Sequence, residues 1–81
     1  MITLAYKDIY NSGKPCRINA AITTDHPASS YTNPVILLND GDILDPLSWI
    51  CLGYELVSTE TPHEAAMMAK WLRNTDLIAQ R

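Results

Sequence analysis

Apolar and polar positions alternate at the start of the chain. Ile2, Leu4 and Tyr6 are two apart, and Ile9 roughly continues the series. A period of two is that of a strand with one face covered. Asn11-Ser12-Gly13-Lys14-Pro15 supplies turn chemistry, and Arg17 to Thr24 reads as a partner strand, so a hairpin is predicted. From Asp25 to Pro34 the chain is polar, with a proline near each end, which predicts a loop of a length more often functional or mobile than shorter ones. Val35-Ile36-Leu37-Leu38 is unbroken apolar sequence and partly β-branched, the pattern of a central strand covered on both faces. Asn39-Asp40-Gly41-Asp42 should end it, because Asp-Gly accepts the positive φ values of a tight turn.

Two readings compete for the next stretch. Asp45 as N-cap, Pro46 at the first helical position and Gly53 as a left-handed stop predict a short helix near 46–52, followed by a strand from Tyr54 to Ser58. The alternative is one long strand from Ser48 to Ser58, using Trp49, Ile50, Tyr54 and Val57. The helix reading is preferred because both of its boundaries carry a chemical signal. Thr61-Pro62-His63-Glu64 is a capping box with proline at the first helical position. The helix it starts carries Ala65, Met68, Ala69, Trp71 and Leu72 as an apolar stripe, and either breaks near Asn74-Thr75 or runs on through Leu77 and Ile78. The pattern therefore predicts an α+β domain: a small, mainly antiparallel sheet with a C-terminal amphipathic helix packed on it.

A chain of 81 residues is too short to divide into two cores, so residues 1–81 are read as a single domain. At 47% hydrophobic and 19% charged it is too apolar for intrinsic disorder. Its longest apolar runs, Pro34 to Leu38 and Ala65 to Ala69, fall far short of the ~20 residues of a membrane span. Met1 to Lys7 does not read as a secretory leader, and a cytoplasmic location is expected. Cys16 and Cys51 show no metal or redox spacing; reduced, partly buried thiols are expected, with a disulfide between them as the alternative.

Catalytic chemistry finds little to work with. His26 and His63 lie in no ligand spacing, so neither a metal nor another cofactor is expected. Asn39 to Asp45 clusters oxygens around Gly41, but not in the order of a calcium loop, and an acidic turn is the better account. Ser29-Ser30-Tyr31 near His26 lacks a nucleophile elbow, and Gly13, Gly41 and Gly53 are isolated rather than gathered in a phosphate loop. The chain is read as a non-enzyme.

Charge changes the picture more. Between Ile18 and Ala69 there is no lysine or arginine, while Asp25, Asp40, Asp42, Asp45, Glu55, Glu60 and Glu64 place seven negative charges there. Lys7, Lys14 and Arg17 stand before this stretch and Lys70, Arg73 and Arg81 after it; the chain nets −3. That distribution argues against direct nucleic-acid binding, which rests on clustered cations, and for a basic protein surface as partner. Asp40, Asp42, Asp45, Glu55, Glu60 and Glu64 are the candidate partner-binding carboxylates, with Trp49 and Tyr54, and also Tyr31 and Trp71, as candidate aromatic anchors. A solvated acidic surface without a partner is the plain alternative.

In size, in the cation-free stretch from Ile18 to Ala69 and in those carboxylates, the chain resembles the small acidic inhibitors that phages encode against host defence, the anti-CRISPR proteins. The likeness is one of class, over the whole chain, and no diagnostic motif carries it. It implies a viral inhibitor that occupies the basic, nucleic-acid-binding surface of a CRISPR surveillance complex and excludes target DNA. The competing expectation is a small cytosolic accessory or regulatory module that acts as a homodimer through the helix from Pro62 onward and would be sensitive to substitution of Met68 or Trp71; for the chain as such, monomer or homodimer is expected.

Overall fold

The computed structural model describes residues 1–30 and 32–79. The alternating first segment forms β1 (Ile2–Asp8), and its partner is β2 (Lys14–Thr23), antiparallel, with Ile2 opposite Ala20, Leu4 opposite Ile18 and Tyr6 opposite Cys16. The predicted hairpin is present, but it turns earlier than Asn11 to Pro15. Asp8 starts the turn, its carboxylate accepting from the Tyr10 N–H at 3.0 Å and its carbonyl from the Gly13 N–H at 2.8 Å. Ile9 therefore leaves the strand for a 3₁₀ turn and is 59% exposed. Pro15 sits within β2, opposite Lys7; β3 pairs only with Ala21–Thr23, so the other edge of β2 is open at Pro15, where a missing N–H is tolerated.

The apolar run forms β3 (Val35–Leu37), which is an edge strand and not the expected central one: the sheet order is β3-β2-β1-β4. Its residues are apolar because the chain beyond it returns to cover them. The Asp-Gly turn, with Gly41 at φ 87°, folds the chain back so that Ile43 bridges Leu37 and the Leu44 N–H donates to the Ile36 carbonyl at 2.9 Å. The returning segment covers the free edge, a site otherwise open to unwanted pairing, and Ile36 is fully buried.

Helix then strand is the outcome for the ambiguous stretch. Asp45 caps α1 (Pro46–Cys51), its carboxylate accepting from the Leu47 N–H at 2.9 Å, and Gly53 at φ 65° ends the turn before β4 (Glu55–Thr59). β4 lies antiparallel to β1, with a register shift that leaves Val57 as the extra residue. The capping box forms as expected: the Glu64 N–H donates to Thr61 Oγ1 and the Thr61 N–H to Glu64 Oε1, both at 3.1 Å. The helix it starts, α2 (Pro62–Ala79), continues past Asn74-Thr75 without a break.

One face of the sheet is covered by the helices. Ile2 and Leu4 from β1, Ala20 and Ile22 from β2 and Ile36 from β3 join Leu44, Trp49, Met67, Met68 and Trp71 in a single core cluster. The buried stripe of α2 is Met67, Met68, Trp71 and Thr75; Ala65 and Ala69, expected within it, face out. The stripe is set by the bulky side chains, and Thr75 fits it because its hydroxyl donates to the Trp71 carbonyl at 3.0 Å. Among the described residues no helix is long and apolar enough to cross a membrane. The opposite sheet face, with Lys7, Arg17, Asn19 and Ala21 exposed on it, is not covered by either helix.

Candidate functional site

The corner between β3 and α1 gathers the densest set of predicted site residues. Leu38 starts the turn and its N–H donates to the Asp42 carbonyl at 2.9 Å, while Asp40 folds its own carboxylate onto the Asp42 N–H at 3.0 Å. That local bond is why Asp suits the position: the side chain fixes the turn it sits in. Two residues after Ile43 the Asp45 carboxylate caps α1. Among the described residues no cation pairs with Asp40, Asp42 or Asp45, so their charge faces solvent. Asp40 and Asp45 each accept these local N–H bonds through a single oxygen.

Apolar side chains stand among these carboxylates. Ile43 is 38% exposed, Leu47 59% and Ile50 44%, the last two three residues apart on the outer side of α1, beside the exposed Cys51. The inner side of the same helix sends Trp49 into the core. Sequence reasoning does not find this apolar component, although a short helix with Trp49 turned inward leaves Leu47 and Ile50 nowhere to go but outward.

The remaining predicted residues lie elsewhere. Glu55 begins β4, opposite Ala5, and lines a shallow hollow of about 110 Å³ with Lys7 and Pro15. Glu60 and Glu64 hold the Met1 ammonium between them at 3.0 and 2.7 Å. These bonds raise the ammonium pKa, through Glu64 first and Glu60 second, and the same ammonium lowers that of Glu64. β3 and β4 are opposite edges of the sheet, so the Asp40–Asp42 turn follows one edge strand, while Glu55 lies on the other and Glu60 and Glu64 follow it.

The candidate anchors are mostly interior. Trp49 and Trp71 are 9% and 5% exposed and meet edge to face at 4.8 Å. Tyr54 is half-buried and stacks on Trp49 at 5.6 Å and on Tyr6 at 5.0 Å; burial raises its hydroxyl pKa, with a smaller contribution from Tyr6. Tyr31 lies outside the described residues. Met68 and Trp71, expected to face a second copy, are instead packed on the sheet, because they form the one stripe of α2 that the core requires.

The loop histidine is used for folding. Its Nδ1 accepts from the Ala28 N–H at 3.0 Å, and the Ser29 hydroxyl donates to the His26 carbonyl at 2.6 Å, not to the ring. Cys16 is half-buried, whereas Cys51, expected to be partly buried, is exposed because α1 turns Trp49 inward instead; both are free thiols. Among the described residues no three His, Cys, Asp or Glu side chains converge to hold a metal ion. No known protein family, curated protein or solved structure matches the chain.

Proposed function

We propose that this protein is a non-catalytic binding protein that sets its β3–α1 corner against a basic protein surface. Where that surface ordinarily holds nucleic acid, as on the DNA-binding complexes that anti-CRISPR inhibitors block, the docked corner excludes it. The observation that carries the reading is the interleaving of Asp40, Asp42 and Asp45 with exposed Ile43, Leu47 and Ile50. Charge of this kind steers and orients an encounter, and the apolar side chains supply area that is removed from water on contact. Trp49 and Tyr54 support the corner from beneath: they hold α1 in place.

The test is capture from the native host at low and high salt with wild type, the Asp40→Lys/Asp42→Lys pair and Glu55→Lys, followed by a gel-shift of the purified partner on DNA. The corner pair should lose the partner and the ability to release DNA, Glu55→Lys should keep both, and binding should weaken as salt rises. Equal capture by the corner pair would remove the reading.

A further inference from the structure

The tip of the β1–β2 hairpin carries the most exposed large apolar side chain among the described residues: Tyr10 is 94% exposed, and Ile9 beside it 59%. The turn holds both outward. Its 3₁₀ segment is pinned by the bonds from the Tyr10 and Gly13 N–H groups to Asp8, and Ser12 and Gly13 follow at φ 62° and 72°. Side chains presented from a fixed turn lose little freedom on contact.

Cations flank the pair. Lys14 stands opposite Asp8 at the end of the hairpin, while Lys7, opposite Pro15, and Arg17, opposite Ala5, are diagonal neighbours on the open sheet face. All three are exposed, and among the described residues none forms an ion pair, although Glu55 lines a hollow with Lys7. With three cations and the one carboxylate of Asp8, the segment from Lys7 to Arg17 nets +2. The same molecule offers the complement. At the β3–α1 corner Asp40, Asp42 and Asp45 stand among exposed Ile43, Leu47 and Ile50, and the segment from Asp40 to Cys51, with three carboxylates and no cation, nets −3.

We infer that the hairpin tip of one copy docks on the β3–α1 corner of a second copy. Tyr10 and Ile9 cover Leu47 and Ile50, and Lys7, Lys14 and Arg17 face the three aspartates. Opposite charge orients the approach, and the apolar side chains lose contact with water. Two different patches meet, so the contact closes into a pair where a two-fold axis sets each tip on the other's corner, and extends into longer assemblies where it does not. An anionic lipid surface would also suit tyrosine and lysine, but it would repel a chain of net charge −3. Docking of a second copy competes for the corner with the proposed basic partner and does not rest on that reading: a chain that pairs need capture nothing, and a single chain can still capture.

Sedimentation equilibrium over a concentration series at low salt tests the contact. The mass should rise above 9.0 kDa with concentration and return towards it as salt is added. Tyr10→Ser/Lys14→Gln on the tip and Asp42→Lys/Leu47→Ser on the corner, all exposed positions, should each weaken association at least about tenfold. An equimolar mixture of the two variants should associate again, because each is folded and keeps the half that the other lacks. A nitroxide on the exposed Cys51 of a Cys16→Ser copy should broaden the Ile9 and Tyr10 amide signals of a ¹⁵N-labelled copy. The mass of one chain at every concentration, association untouched by both variants, or broadening centred on β4 or α2 would overturn the inference. So would a chain that stays single yet sediments with phosphatidylserine vesicles through Tyr10, since a membrane is then the occupant.

Discussion

The carboxylate of Glu64 joins a local motif to a distant one. Oε1 accepts from the N–H groups of Glu60 and Thr61, and Oε2 meets the Met1 ammonium. The ammonium pKa is raised above its usual 8.0, so what it contributes to stability is present below 8.0 and is lost as pH climbs through the raised value. Glu64 is lowered from 4.5, so its contribution is present above 4.5 and lost as pH falls through the lowered value. Thermal melts of wild type and Glu64→Gln should therefore differ most between about pH 5 and 8 and converge on both sides, because Gln keeps the cap but not the charge. A difference independent of pH would assign the effect to capping alone. The capping box is readable in Thr61-Pro62-His63-Glu64, but the ammonium is not: it reaches Glu64 only because β1 lies beside β4, and no local pattern encodes that neighbour. The same limit applies to Trp49. A tryptophan amid acidic residues has the look of an anchor, and only the inward turn of α1 assigns it to the core.

At the scale of elements, boundaries with their own chemistry are legible in the sequence and positions in the sheet are not. Asp45-Pro46 and Gly53 mark α1, and Asp40-Gly41 marks the turn before it, since each feature satisfies a backbone requirement on the spot. The apolarity of Val35 to Leu37 suggests a central strand wrongly: β3 is an edge strand whose free side is bridged by the returning chain, and Ile36 still joins the core cluster. In α2, helical spacing admits Ala65 and Ala69 to the stripe, but Met67 offers more area to bury and takes the place. The short helix α1 can be tested at its cap and on its outer face. Asp45→Ala should cost about 0.5–2 kcal/mol by removing the cap, while Asp45→Asn should stay near wild type, with chemical denaturation as the measurement. Leu47→Ser, by contrast, should change stability by no more than about 0.5 kcal/mol, since the side chain is exposed; if it also lowers partner capture, the corner's apolar side chains contribute to binding rather than to folding.

For the molecule as a whole, the core depends on few side chains. Met68 is 1% exposed and sits where α2 meets the sheet, so Met68→Ala should cost about 2–5 kcal/mol. In a small domain of modest total stability that loss is visible as a large drop in the denaturant midpoint. An unchanged midpoint would mean that α2 is not held by this stripe. The helices cover only one side of the sheet, and β1 shows the result directly: Ile2 and Leu4 are fully buried, while Thr3 and Ala5 beside them are only half-buried. The consequence is a two-beat rhythm of tolerance along β1 and the second half of β2. In a saturation scan, Ile2, Leu4, Ala20 and Ile22 should accept almost nothing polar, while Thr3, Asn19 and Ala21 should drift freely among small and hydrophilic residues. Such a chain can be redecorated on its wet side without touching what makes it fold.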